Sequence, residues 1–401
     1  MINRSYLFFK HLLMISIIIC TSSVICQAKP GDFDIEYRDF NCSPKLQSVV
    51  LIDSENDNIY TCEDIISLFP ILSDENNYDY INSDTSGNFM LIKKYAAADK
   101  TTRSTLVRIS NGEPVTLWSH SILNGVYQSQ ISPTGIVIDV HIKGIVESRN
   151  GEIDSVEIIS IDGERYFIHS FDKYLPIKAP THTNGVYPHQ WSLTGNIFVL
   201  CVGQYDYSSD TNYNSYIFIN NNSEVVNVYT YVGSVQGFTV SDNARYFFVK
   251  SELNDSTSRI LVDRISGESR QIDKDVALIS EVDSEFIYIG TRNEMIKIRF
   301  IGDGEFREVF KINDKWPRRL FLDGYVLVIC SAASDFDQRP VPYSAIVKTI
   351  DTREDIYKSA EFSDFSVGLG VVNEFIYFSN RHKLIVSLSS RIAIFHFEVK
   401  S

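Results

Sequence analysis

Cysteine is scarce in this chain of 401 residues, and its six cysteines show none of the spacings typical of metal-binding or redox motifs. There is no Cys-x-x-Cys pair and no cluster of Cys with His, so a structural zinc site is not expected. Asp53, Glu55 and Asp57 have the spacing of a calcium loop, but Asn58 replaces its turn glycine and Asp64 its terminal glutamate. We therefore predict no metal and no cofactor.

Sequence signatures of common hydrolases are also missing. The chain contains no Gly-x-Ser-x-Gly nucleophile turn and no His-Glu-x-x-His metal-binding helix. Acidic pairs such as Asp335 and Asp337 are common in an acidic chain and do not by themselves indicate acid–base catalysis. The sequence therefore favours a protein that is not an enzyme.

Basic residues are outnumbered by acidic ones. The chain has 37 Lys and Arg residues against 51 Asp and Glu residues, which gives a formal net charge of −14. Nucleic acids and anionic membrane surfaces require cationic protein surfaces, so neither is expected as a partner. A protein partner, including a basic one, or a glycan is compatible with this charge, and we expect the protein itself to be a monomer.

Long apolar runs are missing after residue 28, which predicts that the remaining chain does not insert into a membrane. The first 28 residues have the pattern of a secretory signal peptide. Arg4 and Lys10 precede the apolar run LLMISIIICTSSVIC, and the segment ends in small residues at Ala28. We expect cleavage near Ala28 and a periplasmic or secreted mature protein.

Four cysteines follow the predicted signal peptide, and their positions indicate two different states. Cys42 and Cys62 lie close together in one N-terminal segment, so an oxidising compartment should link them in a disulfide. Cys201 and Cys330 fall inside apolar, strand-like runs, where we expect buried free thiols rather than a second disulfide.

Two segments about sixty residues apart are nearly the same. NGVYQSQISPTG occupies residues 124–135, NGVYPHQWSLTG occupies residues 184–195, and eight of twelve positions coincide. Seven such units, spaced by about 40 to 60 residues, indicate a repeat architecture. The weaker copies, each an apolar strand, a polar turn and a second apolar strand, are at 80–94, 237–251, 278–291, 319–331 and 368–380.

Each unit has the pattern of four strands. After SPTG come the apolar runs IVIDVHI and SVEIISI, a tight Asp-Gly turn and ERYFIHSF, and no helical period is sustained. A single four-stranded sheet cannot bury both of its faces, so such units must stack. We predict an all-β, seven-bladed β-propeller of four-stranded antiparallel blades over residues 77–401, with eight blades as the alternative.

The Ser-Pro-Thr-Gly turn followed by an apolar strand resembles the Ser-Pro-Asp-Gly turn of TolB-like and WD40-like propellers, over about residues 77–397. The Trp-Asp and Gly-His pairs of the WD40 class and the Ser-x-Asp-x-Gly-x-Thr-Trp box of sialidase-type propellers are missing. The resemblance therefore implies a fold and no activity. In each turn we expect the hydroxyl to bond nearby backbone and the glycine to adopt a positive φ.

Residues 29–76 are less regular than the repeats. The runs LQSVVLID and NIYTCED should form a hairpin. We expect this hairpin to join the last blade and close the ring, and an eighth, partial blade is the alternative.

One face of a propeller is built from the loops that enter the first strand of each blade and those that join the second and third strands. Here these are the long loops, at 143–154, 172–191, 203–216 and 331–345. Long loops on one rim of a rigid scaffold are where binding residues usually lie. The side chains that we select there are Tyr187, His182, His189, Tyr205, Tyr207, Trp316, Arg318, Arg319, Asp335, Asp337 and Arg339.

Aromatic and Arg side chains are typical of protein interfaces, and aromatic rings also stack on sugars. The sequence favours an exported, non-enzymatic propeller that binds another macromolecule through this rim. The alternative is a periplasmic hydrolase or lyase that acts on a glycan or lactone in the central channel, with carboxylates or His182 and His189 as acid and base.

Overall fold

The computed structural model of the protein describes residues 34–396 with gaps, the longest at 144–151, 178–182, 301–305, 334–342, 350–356 and 363–373. From residue 273 to 382 it describes strands and their pairing without the surroundings of the side chains. The predicted signal peptide at residues 1–28 lies outside the described residues. Among the described residues, no helix has the length and hydrophobicity needed to cross a lipid bilayer.

The described strands form seven four-stranded antiparallel sheets and one two-stranded hairpin. In six of the sheets four consecutive strands pair in chain order, as the repeat pattern predicts. The first four of these six sheets are β4 (Tyr80–Ser83), β5 (Met90–Ala96), β6 (Thr101–Ser110) and β7 (Glu113–Leu123); β8 (Val126–Ile131), β9 (Val137–Lys143), β10 (Glu152–Ile159) and β11 (Arg165–His169); β12 (Thr183–Trp191), β13 (Ile197–Asp206), β14 (Thr211–Asn220) and β15 (Val225–Val232); and β16 (Val235–Val240), β17 (Tyr246–Leu253), β18 (Ser256–Asp263) and β19 (Ser269–Ile272).

Two further sheets are described by their strand pairing alone, and the last sheet combines strands from both ends of the chain. The all-β propeller of four-stranded antiparallel blades is confirmed, and the number of blades in the ring stays a prediction. The remaining strands are β20 (Val276–Val282), β21 (Glu285–Arg292), β22 (Met295–Phe300) and β23 (Phe306–Lys311); β24 (Lys315–Asp323), β25 (Val326–Ala333), β26 (Tyr343–Thr349) and β27 (Tyr357–Phe362); β28 (Glu374–Phe378), β29 (Lys383–Ser387), β30 (Arg391–His396) and β1 (Asp34–Asp39); and the hairpin β2 (Leu51–Asp53) and β3 (Asn58–Tyr60).

The first strands of neighbouring sheets contact one another, which identifies the inner edge of the ring. β8 contacts β12, β16 contacts β20, and β20 contacts β24. The fourth strands, such as β11 and β15, therefore lie at the outer edge. Loops that join second and third strands then share one rim with the loops that enter each first strand.

The turn between the first and second strands has the predicted hydrogen bonds. Ser132 Oγ accepts from the backbone N–H groups of Thr134 at 3.2 Å and Ile136 at 2.9 Å. Gly135 has φ +81°, and a Cβ there would lie 2.9 Å from Phe89 Cζ, so both its conformation and its contact require glycine. The same place in neighbouring sheets is taken by Asp84, Ser192 and Ser241.

Apolar side chains fill the spaces between sheets. Between the second and third sheets, Val140 and Ile158 pack with Leu200 and Ile217 in one buried cluster. Trp191 packs against this cluster, and its ring centroid is 5.3 Å from that of Phe198. Successive side chains of a strand point to opposite faces of the sheet, so each sheet presents an apolar face to each of its two neighbouring sheets.

The N-terminal segment joins the first and last sheets. β1 pairs antiparallel with β30, with Asp34 opposite His396. The predicted hairpin exists, but it forms its own two-stranded sheet, and the strand that joins the last sheet is β1. The physical reason is that hairpin residues such as Leu51 and Ile59 fill the gap between Ile92 of β5 and Ile394 of β30.

A short helix follows the hairpin and carries one half of a disulfide. The helix α1 (Cys62–Leu68) begins where the backbone N–H of Thr61 donates to Asp64 Oδ2 at 2.9 Å. Cys42 and Cys62 are disulfide-bonded with a Cα–Cα distance of 6.4 Å, as predicted. Among the residues that the structure describes, the other helical segments are three 3₁₀ turns, at Pro70–Ser73, Glu75–Asn77 and Phe171–Tyr174.

The remaining cysteine with described surroundings is Cys201. It is a buried free thiol on β13, as predicted, and burial raises its pKa to about 12. Cys330 lies on β25 opposite Arg319.

Candidate functional site

The hairpin between β13 and β14 presents two tyrosines at the rim. The rings of Tyr205 and Tyr207 meet edge to face with centroids 4.8 Å apart, a favourable geometry for an aromatic pair. The Tyr205 hydroxyl donates to Asp210 Oδ1, which ties the ring to the other side of the turn. Tyr207 is 68% exposed. One tyrosine thus fixes the other in an exposed position.

Two carboxylates flank this aromatic pair. Asp206 accepts hydrogen bonds from the backbone N–H of Ser208 at 2.8 Å and from the hydroxyls of Ser208 and Ser209 at 2.7 Å. These bonds lower the pKa of Asp206 below its usual range. The hydrogen bond to Asp210 raises the pKa of Tyr205, so its phenol stays neutral and remains a donor.

The end of β15 lies beside the same hairpin. Val232 pairs with Tyr213, and the backbone N–H of Gly233 donates to the carbonyl of Asn212 at 2.8 Å. Val232 is 56% exposed although it is apolar. Val232 lies across Tyr213 from Gln204, so its side chain is on the opposite face of the sheet from Tyr205. We call the surface at the tip of the hairpin between β13 and β14 the hairpin rim, and it consists of Tyr205, Asp206, Tyr207 and Asp210.

The structure also ties a second predicted loop to this hairpin. The side-chain amide of Gln204, on β13, accepts from the backbone N–H of Ile177 at 3.3 Å and donates to the carbonyl of Ile177 at 3.1 Å. Ile177 belongs to the loop that enters β12. The entry loop and the hairpin loop, which the sequence assigned to one rim, are therefore neighbours.

The other selected residues fall into three groups. Tyr187 and His189 lie on the inner strand β12, with Tyr187 opposite Cys201. Trp316, Arg318 and Arg319 lie within the strand β24 rather than on a loop, and Arg318 sits at an irregularity in its pairing with β25. The residues that lie outside the described part of the chain are His182, Asp335, Asp337 and Arg339.

Sequence reasoning missed a buried charged cluster between the first and second sheets. Lys93 Nζ on β5 lies 2.7 Å from Asp139 Oδ1 on β9 and also donates to Ser129 Oγ on β8. Asp139 is fully buried, and its second oxygen has no hydrogen-bond partner. The signal was present in the run IVIDVHI, where a charged residue takes a position that alternation assigns to the interior.

The same face of the second sheet carries a second buried carboxylate. Glu157 on β10 lies opposite Asp139 and accepts from His141 Nε2 at 3.3 Å and from Arg165 Nε. Burial acts to raise the pKa of Glu157, but the hydrogen bonds from His141 and Arg165 outweigh it and lower this pKa. Both carboxylates are thus ion-paired inside the fold, which suits a structural role better than acid–base chemistry.

The arrangement at the hairpin rim suits binding. Exposed, fixed aromatic rings lose little conformational entropy when a partner covers them. In the part of the chain that the structure describes, no three His, Cys, Asp or Glu side chains are grouped so as to hold a metal ion.

No protein-family model and no curated protein sequence matches the chain. The β-propeller domain of the trilobed protease from Pyrococcus furiosus has 10% identity and a TM-score of 0.46, covering 81% of this chain and 97% of that one. An acylaminoacyl peptidase from Pyrococcus horikoshii has 12% identity and a TM-score of 0.44, covering 78% of this chain and 49% of that one, so this chain spans about half its length. A TolB candidate from Agrobacterium tumefaciens has 10% identity and a TM-score of 0.34, covering 72% and 95%. The chain resembles TolB-like and WD40 propellers at the level of the fold.

Proposed function

We propose that the protein is an exported, seven-bladed propeller that binds another macromolecule through its long-looped rim and catalyses no reaction. The observation that supports this proposal best is the exposed ring of Tyr207, which meets the ring of Tyr205 edge to face. Tyrosines on preformed loops are typical anchors of protein and glycan interfaces.

Export is part of the proposal. The disulfide between Cys42 and Cys62 is compatible with an oxidising compartment, where such bonds persist. The predicted signal peptide at residues 1–28 would deliver the chain to the periplasm or the exterior.

The test begins with recovery of a partner. The mature protein, immobilised, is exposed to envelope or secreted material of its source cell, and the retained macromolecule is purified. Its affinity is then measured by calorimetry for the natural protein and for the double variant Tyr205→Ala, Tyr207→Ala. A matched control is Tyr166→Ala, because Tyr166 is also exposed and hydrogen-bonded to a carboxylate but lies on the outer strand β11.

We expect the double variant to bind at least about tenfold more weakly, since truncation of an aromatic anchor often costs more than 1 to 2 kcal/mol. Its melting temperature should change little, because exposed positions usually contribute within about 0.5 kcal/mol each. Tyr166→Ala should leave the affinity unchanged. Equal affinities for all three proteins would overturn the proposal that this rim is the interface.

A further inference from the structure

Cationic side chains are missing from one long part of the chain. Residues 179–244 contain no Lys and no Arg, whereas a run of this length would hold about six at the average of 37 in 401. This run includes the whole third sheet, β12 to β15, and therefore every residue of the hairpin rim. The basic residues that bound the run are Lys178 and Arg245.

Among the described residues, some carboxylates are ion-paired and others, such as Asp84, accept hydrogen bonds from neutral groups. Asp139 is paired with Lys93, and Asp263 lies 3.3 Å from Arg245. Asp206 and Asp210, by contrast, accept hydrogen bonds from hydroxyl and amide groups, which are neutral donors. Neutral donors hold a carboxylate in place without cancelling its charge.

Arg245 also lies at the other end of the sheets from the hairpin. It follows the turn between β16 and β17, where the loops belong to the opposite rim, and its ring partner is Tyr246 at 4.9 Å. Two carboxylates and an exposed tyrosine thus occur together within residues 179–244, a run that contains no Lys and no Arg.

This combination matches one kind of ligand group. An ammonium or guanidinium group binds over a tyrosine face, and nearby carboxylates strengthen that attraction. We propose that the hairpin rim binds a cationic segment of its partner, a stretch of protein chain that carries several Lys or Arg side chains. This inference rests on the proposed function, because it names the chemistry of the partner for the same surface.

A neutral glycan is the competing ligand. A sugar also stacks on tyrosine, but its binding gains little from charge and depends little on salt. The two ligands therefore differ in the effect of removing a carboxylate charge. Asp210→Asn is suited to this purpose, since the amide oxygen can still accept from the Tyr205 hydroxyl while the charge is lost.

The chain offers a matched control for this change. Tyr166 on the outer strand β11 donates to Glu164, as Tyr205 donates to Asp210, and Tyr166 is 43% exposed. Arg165 lies between them in the sequence, but its guanidinium is paired with the buried Glu157. Glu164→Gln changes the net charge of the protein by the same amount at a place that we do not expect to bind.

The probes are a fluorescent peptide of about 15 residues with four Arg in a Gly-Ser background, the same peptide with four Gln, and a labelled tetrasaccharide of N-acetylglucosamine. Fluorescence anisotropy gives the affinity at about 50 mM and about 300 mM salt, concentrations between which surface charges become largely screened. The proteins are the full mature chain and its variants Asp210→Asn, Tyr207→Ala, Tyr207→Phe and Glu164→Gln.

We expect only the Arg peptide to bind, and to bind more weakly at the higher salt. Asp210→Asn should weaken it about threefold and Tyr207→Ala about fivefold, whereas Tyr207→Phe and Glu164→Gln should stay within about twofold. Equal losses for Asp210→Asn and Glu164→Gln would overturn the inference, because binding would then follow net charge alone.

Two other results separate this inference from the proposed function. Saccharide binding that depends on Tyr207 but not on Asp210 would refute the cationic ligand and leave the rim as the interface. A partner purified from the source cell whose affinity is unchanged by both Tyr207→Ala and Asp210→Asn would refute both.

Discussion

Asp84 provides a pH-dependent test of how the repeated turn is built. In the first sheet it takes the place that Ser132 takes in the second, and it accepts from the backbone N–H groups of Phe89 at 2.7 Å and Ser86 at 2.8 Å. Its side chain is buried. Burial raises the pKa of Asp84 to about 6, although these hydrogen bonds act to lower it.

The size and sign of the effect follow from this shift. An ordinary value of 3.8 and a folded value of about 6 differ by an amount worth about 3 kcal/mol of unfolding free energy. The folded state binds the proton more tightly, so this stabilisation is fully present below about pH 4. It is lost as the pH rises through about 6.

The perturbation is Asp84→Ser, which copies the residue of the neighbouring turns. A serine hydroxyl can accept from the N–H of Phe89, as Ser132 accepts from Ile136 at 2.9 Å, and it does not titrate. Between about pH 4 and 7, the unfolding free energy of the natural protein should fall relative to that of Asp84→Ser by up to about 3 kcal/mol.

Urea unfolding, followed by tryptophan fluorescence at several pH values, gives the unfolding free energy of both proteins. The titration of all other groups cancels in the difference between these two free energies. The reciprocal variant Ser132→Asp should acquire a pH dependence of the same sign. A difference between Asp84→Ser and the natural protein that stays constant within about 0.5 kcal/mol would refute the reasoning.

Two further predictions concern the ties between sheets. Replacing Cys42 and Cys62 by Ala should lower the unfolding free energy by about 3 kcal/mol, since the closed loop spans 20 residues; equal urea midpoints of the oxidised and disulfide-free proteins would contradict this. Lys93→Met should cost about 3 to 5 kcal/mol because Asp139 is left buried and unpaired, and adding Asp139→Leu should restore most of it. If the double variant were no more stable than Lys93→Met, the unpaired Asp139 would not be the cause of the lost stability.

Part of the candidate site could be predicted from the sequence. Tyr205 and Tyr207 were selected on a predicted long loop at 203–216. This loop was wrong, because β13 runs to Asp206 and β14 begins at Thr211, but the two rings do meet at the turn that remains. The hydrogen bond from Tyr205 to Asp210 could not be predicted, because it depends on the course of the turn. Trp316 and Arg318 were assigned to loops, but they extend the strand β24, since strand ends follow pairing with a neighbour.

Some features of the fold follow from residues that are neighbours in the chain, and these could be predicted. The turn of Ser132 forms because a hydroxyl reaches N–H groups two and four residues away, and alternation in runs such as IVIDVHI specifies strands with two buried faces. The spacing of Cys42 and Cys62 likewise identified their disulfide.

The tertiary structure decided which distant parts meet. The pairing of β1 with β30 and the ion pair of Lys93 with Asp139 join segments that no local pattern relates. The helix α1 has seven residues, too few to show a period, and it forms where Asp64 caps it and its apolar side packs beside the hairpin. Such contacts depend on the closure of the ring, in which the packing of each sheet is completed by its neighbours.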